Sequence, residues 1–385
     1  MASLFLHPEM ILPLWRRALV GARQPARLPF DIAAIDTPTG RRAVTMTEKR
    51  IAPLVVLSRF EIEDGRAKPD ILLVPPMAGG FPFILRDVVA WLAQRARVHV
   101  VEWLNVRAVP DAGRFDVDDQ IEATRTALRR IGRPAHLAGF CQAGFAVLAA
   151  SALMATEDPR LAPLSVALVA APLEAHRAPS AFTERVLART PDILQGRRGG
   201  RRDPETGEEL GVYPAEVQLG VVMQTIAAQN PEDHEFSRLM LRDEGEDPSA
   251  VSFLEMATAL MDLPWEHFRE NLERLYLENA PLAERLRFRG EPARLEALRG
   301  VPILTVEGAR DALVAPGQCS GALDAIPAGP GVRRQRLVVS AAGHFGQFYG
   351  ARWRSVAAPA LWDLVEHGEA RSADGSAKGV RRASA

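Results

Sequence analysis

The chain has 385 residues, of which 47% are hydrophobic and 25% charged, a composition typical of a globular protein with one large or two ordinary domains. Its net charge of −1 gives no electrostatic reason to expect binding to nucleic acid. The two cysteines cannot build a disulfide framework, no Cys/His pair has zinc-ligand spacing, and no apolar run approaches the roughly 18 residues of a membrane span. These features predict a protein of the reducing cytosol without a metal, an organic cofactor or an integral membrane segment.

Residues 1–48 are predicted to hold an amphipathic helix at 5–20, followed by an approach segment rich in Pro, Arg and Thr. The apolar face of this helix is expected to pack on the protein body, and contact with another apolar surface is the alternative. A first hairpin signal follows, with residues 51–60 extended and a turn at 63–65. The prediction for this region is therefore a helix and a hairpin leading into the core.

Short apolar strands then alternate with helices up to residue 180. Strands are predicted at 71–74, 98–103, 136–138 and 165–171, and helices at 83–93, 116–131 and 145–154. This alternation indicates an α/β protein with a mostly parallel, doubly wound sheet whose functional residues follow the carboxyl ends of strands.

The segment Gly139-Phe140-Cys141-Gln142-Ala143-Gly144 lies between a predicted strand and a predicted helix. α/β-Hydrolases place their nucleophile on such a sharp turn, written G-x-S-x-G, and Cys141 would take the nucleophile position. Ala143 stands in place of the second glycine, and Gly144 follows one residue later. An isolated cysteine in apolar surroundings is inert core about as often, so the role of Cys141 depends on partners elsewhere in the chain.

The Pro/Gly-rich loop after the strand at 71–74 contains Ala78. In an α/β-hydrolase, the loop at this place supplies one backbone N–H of the oxyanion hole, and the residue after the nucleophile supplies the other. We therefore expect the backbone N–H groups of Ala78 and Gln142 to form this hole.

The alternation stops at residue 181, and residues 181–298 are predicted to form a helical cap over the site, with ordinary decoration of the sheet as the alternative. Trp265 and Phe268 share one helical stripe and are candidate substrate contacts, although helix-packing core is an equally good interpretation. An arginine-rich turn at 196–207 is expected to be a solvated loop, and contact with an anionic product is the alternative.

The second part of the core, residues 299–367, is predicted to contain strands at 301–308 and 336–339 and a last helix at 353–367. Asp311 follows the first of these strands, and His344 follows the second on a glycine-flanked loop. The order nucleophile, acid, histidine is that of the α/β-hydrolases. Residues 368–385 are rich in Ser, Gly, Ala and Arg and are expected to be disordered.

Several separated motifs carry a family resemblance: Pro75 to Gly80, residues 101–107, Cys141-Gln142, Thr305 to Gly308, and Gly343-His344-Phe345-Gly346 with Arg352-Trp353. Over about residues 30–364 the chain resembles intracellular polyhydroxyalkanoate (polyhydroxybutyrate) depolymerases. The resemblance implies an α/β-hydrolase fold with Cys141 as nucleophile, His344 as base and Asp311 as acid. It also implies a cytoplasmic enzyme that needs no cofactor and acts on storage-polymer granules. Ala143 and Phe345 depart from the family pattern, which often has proline and tyrosine there.

Two other functions stay open at this stage. A polyhydroxyalkanoate synthase has the same superfamily chemistry and an elbow of the type G-x-C-x-G-G, which Ala143-Gly144 only partly matches. The Gly-His-Phe-Gly and Arg-Trp segments favour the depolymerase. In a catalytically silent granule-binding protein, Cys141 would be only a buried residue, far from His344 and Asp311. Side-chain length preference and oligomeric state are left open.

Overall fold

The structure, a computed structural model, describes residues 26–77, 82–215, 217–218 and 260–383, and for 374–383 only the backbone path. The predicted N-terminal helix at 5–20 and the predicted oxyanion-hole residue Ala78 lie outside the described residues. Within the described ranges no helix is both long enough and apolar enough to cross a membrane.

The strands of the described residues are numbered in chain order. They are β1 (Ala34–Thr37), β2 (Gly40–Ala43), β3 (Thr45–Ala52), β4 (Val55–Glu61), β5 (Asp70–Val74), β6 (Arg97–Trp103), β7 (His136–Phe140), β8 (Ser165–Val169), β9 (Arg198–Arg202), β10 (Glu209–Tyr213), β11 (Leu263–Pro264), β12 (Arg287–Phe288), β13 (Glu291–Pro292), β14 (Ile303–Gly308) and β15 (Arg334–Val339).

The α-helices are numbered in the same way. They are α1 (Arg86–Ala93), α2 (Val117–Ile131), α3 (Ala143–Glu157), α4 (Ala181–Leu194), α5 (Trp265–Leu272), α6 (Leu282–Arg285), α7 (Ala322–Ala325), α8 (Gly350–Arg352) and α9 (Ala358–Ala383). Single π-helical turns at Glu273–Leu277 and Trp353–Ala357 continue α5 and join α8 to α9. Short 3₁₀ turns occur at Pro82–Leu85, Val106–Ala108, Pro159–Leu161, Leu295–Gly300 and Phe345–Gln347.

Eight strands form the central sheet, in the order β15-β14-β8-β7-β5-β6-β4-β3. Strand β4 is antiparallel to both of its neighbours, and every other pairing in this sheet is parallel. This order, with a single crossover at β5 and β6 and one reversed strand near the edge, is that of the α/β-hydrolase fold. The predicted fold class is therefore confirmed for the central sheet.

The inner strands form because their sequences are apolar on both faces. Strands β5, β7, β8 and β14 are buried along their full length, as expected for parallel strands covered by helices on both sides. Neighbouring residues such as Leu72 and Leu73 belong to two different hydrophobic clusters, one on each face of the sheet. The ends of these strands are consequently held in place by two packed layers.

Helix α2 shows why the helices of the core were predictable. The Asp116 side chain accepts hydrogen bonds from the N–H groups of Asp118 and Asp119, and the Asp119 side chain accepts one from the N–H of Asp116. The helix ends at Gly132, which takes the left-handed conformation. This reciprocal capping and glycine stop place the helix at the predicted residues.

The predicted first hairpin is wrong in its turn. Strands β3 and β4 pair antiparallel from Thr45↔Glu61 to Ala52↔Val55, so the turn lies at residues 53–54 and not at 63–65. Strand β3 is the edge of the sheet, and its first six residues are exposed. An exposed edge strand carries no apolar pattern, which is why it was not recognised.

The inserted segment, defined as residues 170–302 between β8 and β14, is not entirely helical as predicted for 181–298. It contains α4, α5 and α6, a three-stranded antiparallel sheet in the order β11-β10-β9, and the short β12–β13 pair. The arginine-rich turn at 196–207 is the β9–β10 hairpin, and its Arg201 is buried with a hydrogen bond to the Gly113 carbonyl. The expectation of a wholly solvated loop there is therefore wrong.

The prediction of a disordered tail from residue 368 is also wrong, because α9 continues to Ala383. Gly368 packs against the ring of His136, and the Glu369 carboxylate lies 3.0 Å from Nε2 of that ring. These contacts attach α9 to β7 at residues 368 and 369, where the helix no longer has apolar residues at helical spacing.

Candidate active site

Cys141 lies on the sharp turn between β7 and α3. Its backbone has a φ of 50°, which is unusual for a residue with a side chain, and its N–H donates to the Val169 carbonyl at 2.8 Å. Such strain is common at functional sites, where the surrounding structure holds a side chain in an exposed position. Cys141 is partly buried, whereas the residues before and after it are buried. The turn therefore presents the thiol at the carboxyl edge of the sheet.

Close packing explains why Gly144 stands one residue later than the second glycine of the G-x-S-x-G pattern. A Cβ atom at Gly144 would lie 2.4 Å from the Cβ of Ala171, so this position admits only glycine if α3 is to pack against the segment after β8. Ala143 is fully buried. The close contact between α3 and the segment after β8 therefore falls at Gly144, one residue later than the second glycine of the G-x-S-x-G pattern.

Asp311 lies just after β14 and is almost fully buried. Its Oδ1 accepts the backbone N–H groups of Leu313 and Val314 at 2.8 and 2.9 Å. Its Oδ2 accepts from the Gln347 side chain at 2.8 Å and lies 2.8 Å from Nδ1 of His344. Four hydrogen bonds therefore fix the carboxylate and aim one oxygen at the histidine ring.

The loop that carries His344 approaches β14 very closely. A Cβ atom at Gly308 would lie 2.5 Å from the Gly343 carbonyl oxygen and 2.9 Å from Nε2 of Gln347. Glycine at the end of β14 therefore allows the histidine loop to come within hydrogen-bonding distance of the carboxylate.

His344 is hydrogen-bonded to Cys141 as well as to Asp311. Burial lowers the pKa of His344, but the charges of Asp311 and Cys141 and the hydrogen bonds to them outweigh burial and raise this pKa well above its usual value. The ring is therefore suited to hold a proton beside the sulfur. The structure brings the three residues that the sequence singled out into one connected chain of hydrogen bonds.

The other cysteine has a different environment. Cys319 is fully buried, and its thiol donates to the Leu168 carbonyl. Burial and the charge of Glu307 raise the pKa of this thiol. Cys319 therefore fits the description of an inert core cysteine.

A cavity of about 180 Å³ opens beside Cys141 and His344. It lies between the carboxyl edge of the sheet and the inserted segment, and its lining is largely apolar. The apolar residues in this lining include Phe182, Val186, Phe268, Leu272, Leu275, Tyr276, Phe345 and Phe348. Such a lining suits an apolar acyl chain better than a charged ligand.

The two aromatic residues predicted to contact substrate are placed differently. Phe268 lines the cavity and stacks on Tyr213, with ring centroids 3.5 Å apart. Trp265 is not among the described residues that line the cavity, and its side chain packs against Gly211 beside Tyr213. Of the predicted pair, the structure brings only Phe268 to Cys141.

A buried polar network beneath the cavity was missed by the sequence reasoning. The side chains of Gln142, Gln120, His267 and Asn271 hydrogen-bond to one another, and three of the four line the cavity. Burial lowers the pKa of His267 to about 3, with a smaller opposing effect of Asp116, so this ring is neutral. No sequence signal could have joined these residues, because they come from three distant segments.

Among the described residues, no group of three or more His, Cys, Asp or Glu side chains is arranged to hold a metal ion. Polar groups that line the cavity with Cys141 include the His344 ring and the side-chain amides of Gln142 and Asn271. The arrangement can therefore perform chemistry in which a thiol is activated by a neighbouring imidazole.

Two solved structures have the same fold. One is the hypothetical protein PA2218 from Pseudomonas aeruginosa, with 12% sequence identity, a TM-score of 0.50, and coverage of 90% of this chain and 99% of that chain. The other is DcsB in complex with its substrate analogue, with 14% identity, a TM-score of 0.50, and coverage of 85% and 99%. At these identities the likeness concerns the fold alone. A search of curated protein sequences finds no match.

A family match covers about half of the chain. Residues 171–369 match the family described as PHB de-polymerase C-terminus. The matched range begins just after β8 and includes the inserted segment, Asp311, His344 and the first part of α9. Cys141 and its elbow lie before the matched range.

Proposed function

Because this chain belongs to the family described as PHB de-polymerase C-terminus, we propose that it is a depolymerase of short-chain polyhydroxyalkanoates such as polyhydroxybutyrate. It would cleave the ester bonds of cytoplasmic storage-granule polymer with Cys141 as nucleophile, His344 as base and Asp311 as acid. The observation that carries the proposal is the hydrogen-bonded series Cys141–His344–Asp311 beside an apolar cavity.

The first half of the proposed reaction forms an acyl-enzyme. His344 takes the proton of the Cys141 thiol, and the sulfur attacks the ester carbonyl carbon. The raised pKa of His344 supports this transfer, because a ring that holds its proton leaves the sulfur as a nucleophilic thiolate. The tetrahedral intermediate collapses to a thioester as the C–O bond breaks, and His344 returns the proton to the departing hydroxyl end of the polymer.

The second half releases the acid and restores the thiol. His344 removes a proton from water, whose oxygen attacks the thioester carbonyl, and the sulfur leaves and takes up the proton from the ring. Backbone N–H groups at Gln142 and Ala78 would stabilise the oxyanion in both halves. Asp311 would hold the ring in the tautomer that keeps Nε2 facing the sulfur, because its Oδ2 is bonded to Nδ1.

The cavity supports an apolar polyester as the acyl donor. Phe268 and Tyr276 belong to an apolar lining that would contact the short alkyl branches of such a polymer. Contact between the polymer and the inserted segment would then place one ester group of the polymer over Cys141.

The test is to incubate the purified protein with amorphous polyhydroxybutyrate granules and, separately, with the coenzyme A thioester of the hydroxy acid. Soluble hydroxy acids should appear from the granules, and no polymer should form from the thioester. The variant Cys141→Ala should lose activity with an unchanged melting temperature, because it removes the covalent intermediate and leaves only a small cavity. Cys319→Ala is the matched control and should retain hydrolysis.

Three results would contradict the proposal. Polymer formation from the thioester without acid release from granules would indicate a synthase-like acyltransferase. Binding to granules without any hydrolysis would indicate a silent binding protein. Full activity of Cys141→Ala would remove the thiol from the mechanism.

A further inference from the structure

The buried polar network beneath the cavity, defined as Gln142, Gln120, His267 and Asn271, joins three separate parts of the fold. Gln142 is on the nucleophile elbow, Gln120 is on α2, and the other two are on α5 of the inserted segment. We propose that this network positions the oxyanion hole: its hydrogen bonds fix the nucleophile elbow relative to α5 of the inserted segment. The proposal rests on the proposed function.

The Gln142 side chain is the centre of the network. Its Nε2 donates to Oε1 of Gln120 and to Oδ1 of Asn271, both at 2.7 Å, so both amide protons are used. Its Oε1 accepts the backbone N–H of Met77 at 3.2 Å. One side chain therefore connects α2, α5 and the loop after β5.

The bond to Met77 places the network at the oxyanion hole. Met77 directly precedes Ala78, whose N–H is one proposed oxyanion donor, and the backbone N–H of Gln142 is the other. Because the N–H of Met77 is already bonded to Gln142, it is not available to the oxyanion. Gln142 thus carries one proposed donor on its backbone and bonds through its side chain to Met77 in the loop after β5.

The two residues of α5 complete the network. Nε2 of His267 lies 3.0 Å from Oε1 of Gln120, and Nδ2 of Asn271 lies against the same ring, 3.0 Å from Nε2 and 3.3 Å from Nδ1. Because Oε1 of Gln120 can only accept, the buried neutral ring donates to it through Nε2, and Nδ1 is left as the acceptor for Asn271. Asn271 also donates to the His267 carbonyl at 3.0 Å. The position of α5 is thereby tied to the Gln142 amide.

The network is a positioning device and not a ligand site, because its polar atoms are already paired. Each side-chain nitrogen and oxygen of the four residues has a partner within the network or on the neighbouring backbone. A substrate would have to break one of these buried bonds to gain another. The four side chains therefore act through the backbone of the elbow and of the loop after β5.

The expected effect is a loss of rate with little loss of substrate affinity. A displacement of about 1 Å at a reacting group costs roughly 100-fold in rate, and loss of one oxyanion donor costs roughly 100- to 1,000-fold. We expect Gln142→Met, which keeps the length of the side chain without its amide, to lower kcat by about 100-fold. Asn271→Leu, which acts from the side of α5, should lower kcat by about tenfold, since Gln120 still holds the Gln142 amide.

The experiment compares two reactions of the same thiol in the full-length protein. Hydrolysis of p-nitrophenyl butyrate passes through an oxyanion, whereas alkylation by iodoacetamide forms a C–S bond as iodide leaves and creates no oxyanion. A misplaced oxyanion hole should therefore lower kcat for the ester while KM and the rate of Cys141 alkylation stay within about twofold of the parent. Ser151→Ala is the matched control, because it removes a buried hydrogen bond within α3, from Ser151 to the Val147 carbonyl.

The outcomes separate the two proposals. A fall in kcat for Gln142→Met and Asn271→Leu, with normal alkylation and a parent-like Ser151→Ala, supports the positioning role. Unchanged kcat in Asn271→Leu, a change confined to KM, or a parallel fall in alkylation overturns it, even if Gln142→Met fails to fold. The proposed function would instead have failed if the parent did not hydrolyse the ester, or if it kept its full activity after alkylation of Cys141.

Discussion

The carboxyl edge of the central sheet and the inserted segment contribute to the candidate site in different ways. At the sheet edge, Cys141 and Asp311 follow buried strands, His344 follows the partly exposed edge strand β15, and tight loops hold them in place. The inserted segment contributes Phe268 and Asn271 from α5, a helix that is tied to the sheet side by polar contacts. In the proposed mechanism the first region therefore holds the reacting groups, and the second lines the cavity beside them.

This difference between the sheet edge and the inserted segment predicts which property a substitution in each region should alter. Substitutions at the sheet edge should alter the chemical step, because the proposed mechanism assigns the nucleophile, base and acid to those side chains. Substitution of Phe268, an apolar residue of the cavity lining on α5, should alter substrate binding, and substitution of Asn271, which bonds the Gln142 amide, should alter the rate through the proposed oxyanion hole. Residues of the inserted segment that neither line the cavity nor contact Gln142 should affect only stability.

The largest effect is expected at the sheet edge. His344→Ala removes the proposed base, and Asp311→Asn removes the charge that supports its protonated form, so each should lower kcat by roughly 1,000- to 10,000-fold on granules or soluble oligomers. Asp324→Asn is the control, because that aspartate is exposed and pairs only with surface arginines in the described part of the chain. If Asp311→Asn were as active as the parent, a different carboxylate would have to orient the histidine.

A smaller effect is expected from the two aromatic residues of α5. Phe268→Ala should raise KM for soluble oligomers about tenfold, because it removes apolar contact area worth about 1.4 kcal/mol from the cavity lining. Trp265→Ala should leave kcat and KM within about twofold and lower the melting temperature, since its ring packs against Gly211 and Tyr213. Equal effects of both changes on KM would contradict the claim that Phe268 contacts the substrate and Trp265 does not.

A further effect concerns stability and pH, and it leaves the chemical step untouched. The unfolded chain takes up a proton at His267 near pH 6.5, whereas the folded protein does so near pH 3, because burial holds the pKa down. Stability therefore falls as the pH drops below 6.5, and this one group should cost about 2 kcal/mol at pH 5.

The check is urea unfolding at pH 7 and pH 5 for the parent and His267→Gln. The parent should lose about 2 kcal/mol more between these two pH values than the variant, whatever the absolute stability of each. Asp119, whose pKa is raised to about 6 mainly by burial, has the opposite sign and is present in both proteins. An identical pH dependence would mean that His267 is not the buried neutral ring described here.

The sheet edge was predictable because its signals are local. A buried parallel strand is a continuous apolar run, and the residue after its carboxyl end is placed by the strand itself, so Cys141 could be assigned from neighbouring residues. His344 follows the partly exposed strand β15 and was assigned from its glycine-flanked loop and from its place after Asp311 in the chain. Helix α2 was equally readable from its cap and its glycine stop. Strand β3 was missed because an exposed edge strand has no such signature.

The inserted segment was less predictable because its structure depends on distant contacts. The polar sequence of β9 forms a strand through its pairing with β10 and the burial of Arg201. The amphipathic pattern of α5 indicated a helix but not which of its faces meets the cavity, so Trp265 and Phe268 could not be told apart. The network around Gln142 joins residues up to 151 positions apart, from 120 to 271, and leaves no local signal.

The most direct test of the central claim is to trap the intermediate. The protein would be mixed with a soluble hydroxybutyrate oligomer, quenched in acid within one turnover, and its peptides mapped by mass spectrometry. The proposal predicts a hydroxylamine-sensitive acyl adduct on the peptide that contains Cys141, which rises and then decays as hydroxy acid appears. Hydrolysis at the parental rate by Cys141→Ala, with no acyl adduct on the parent, would contradict it.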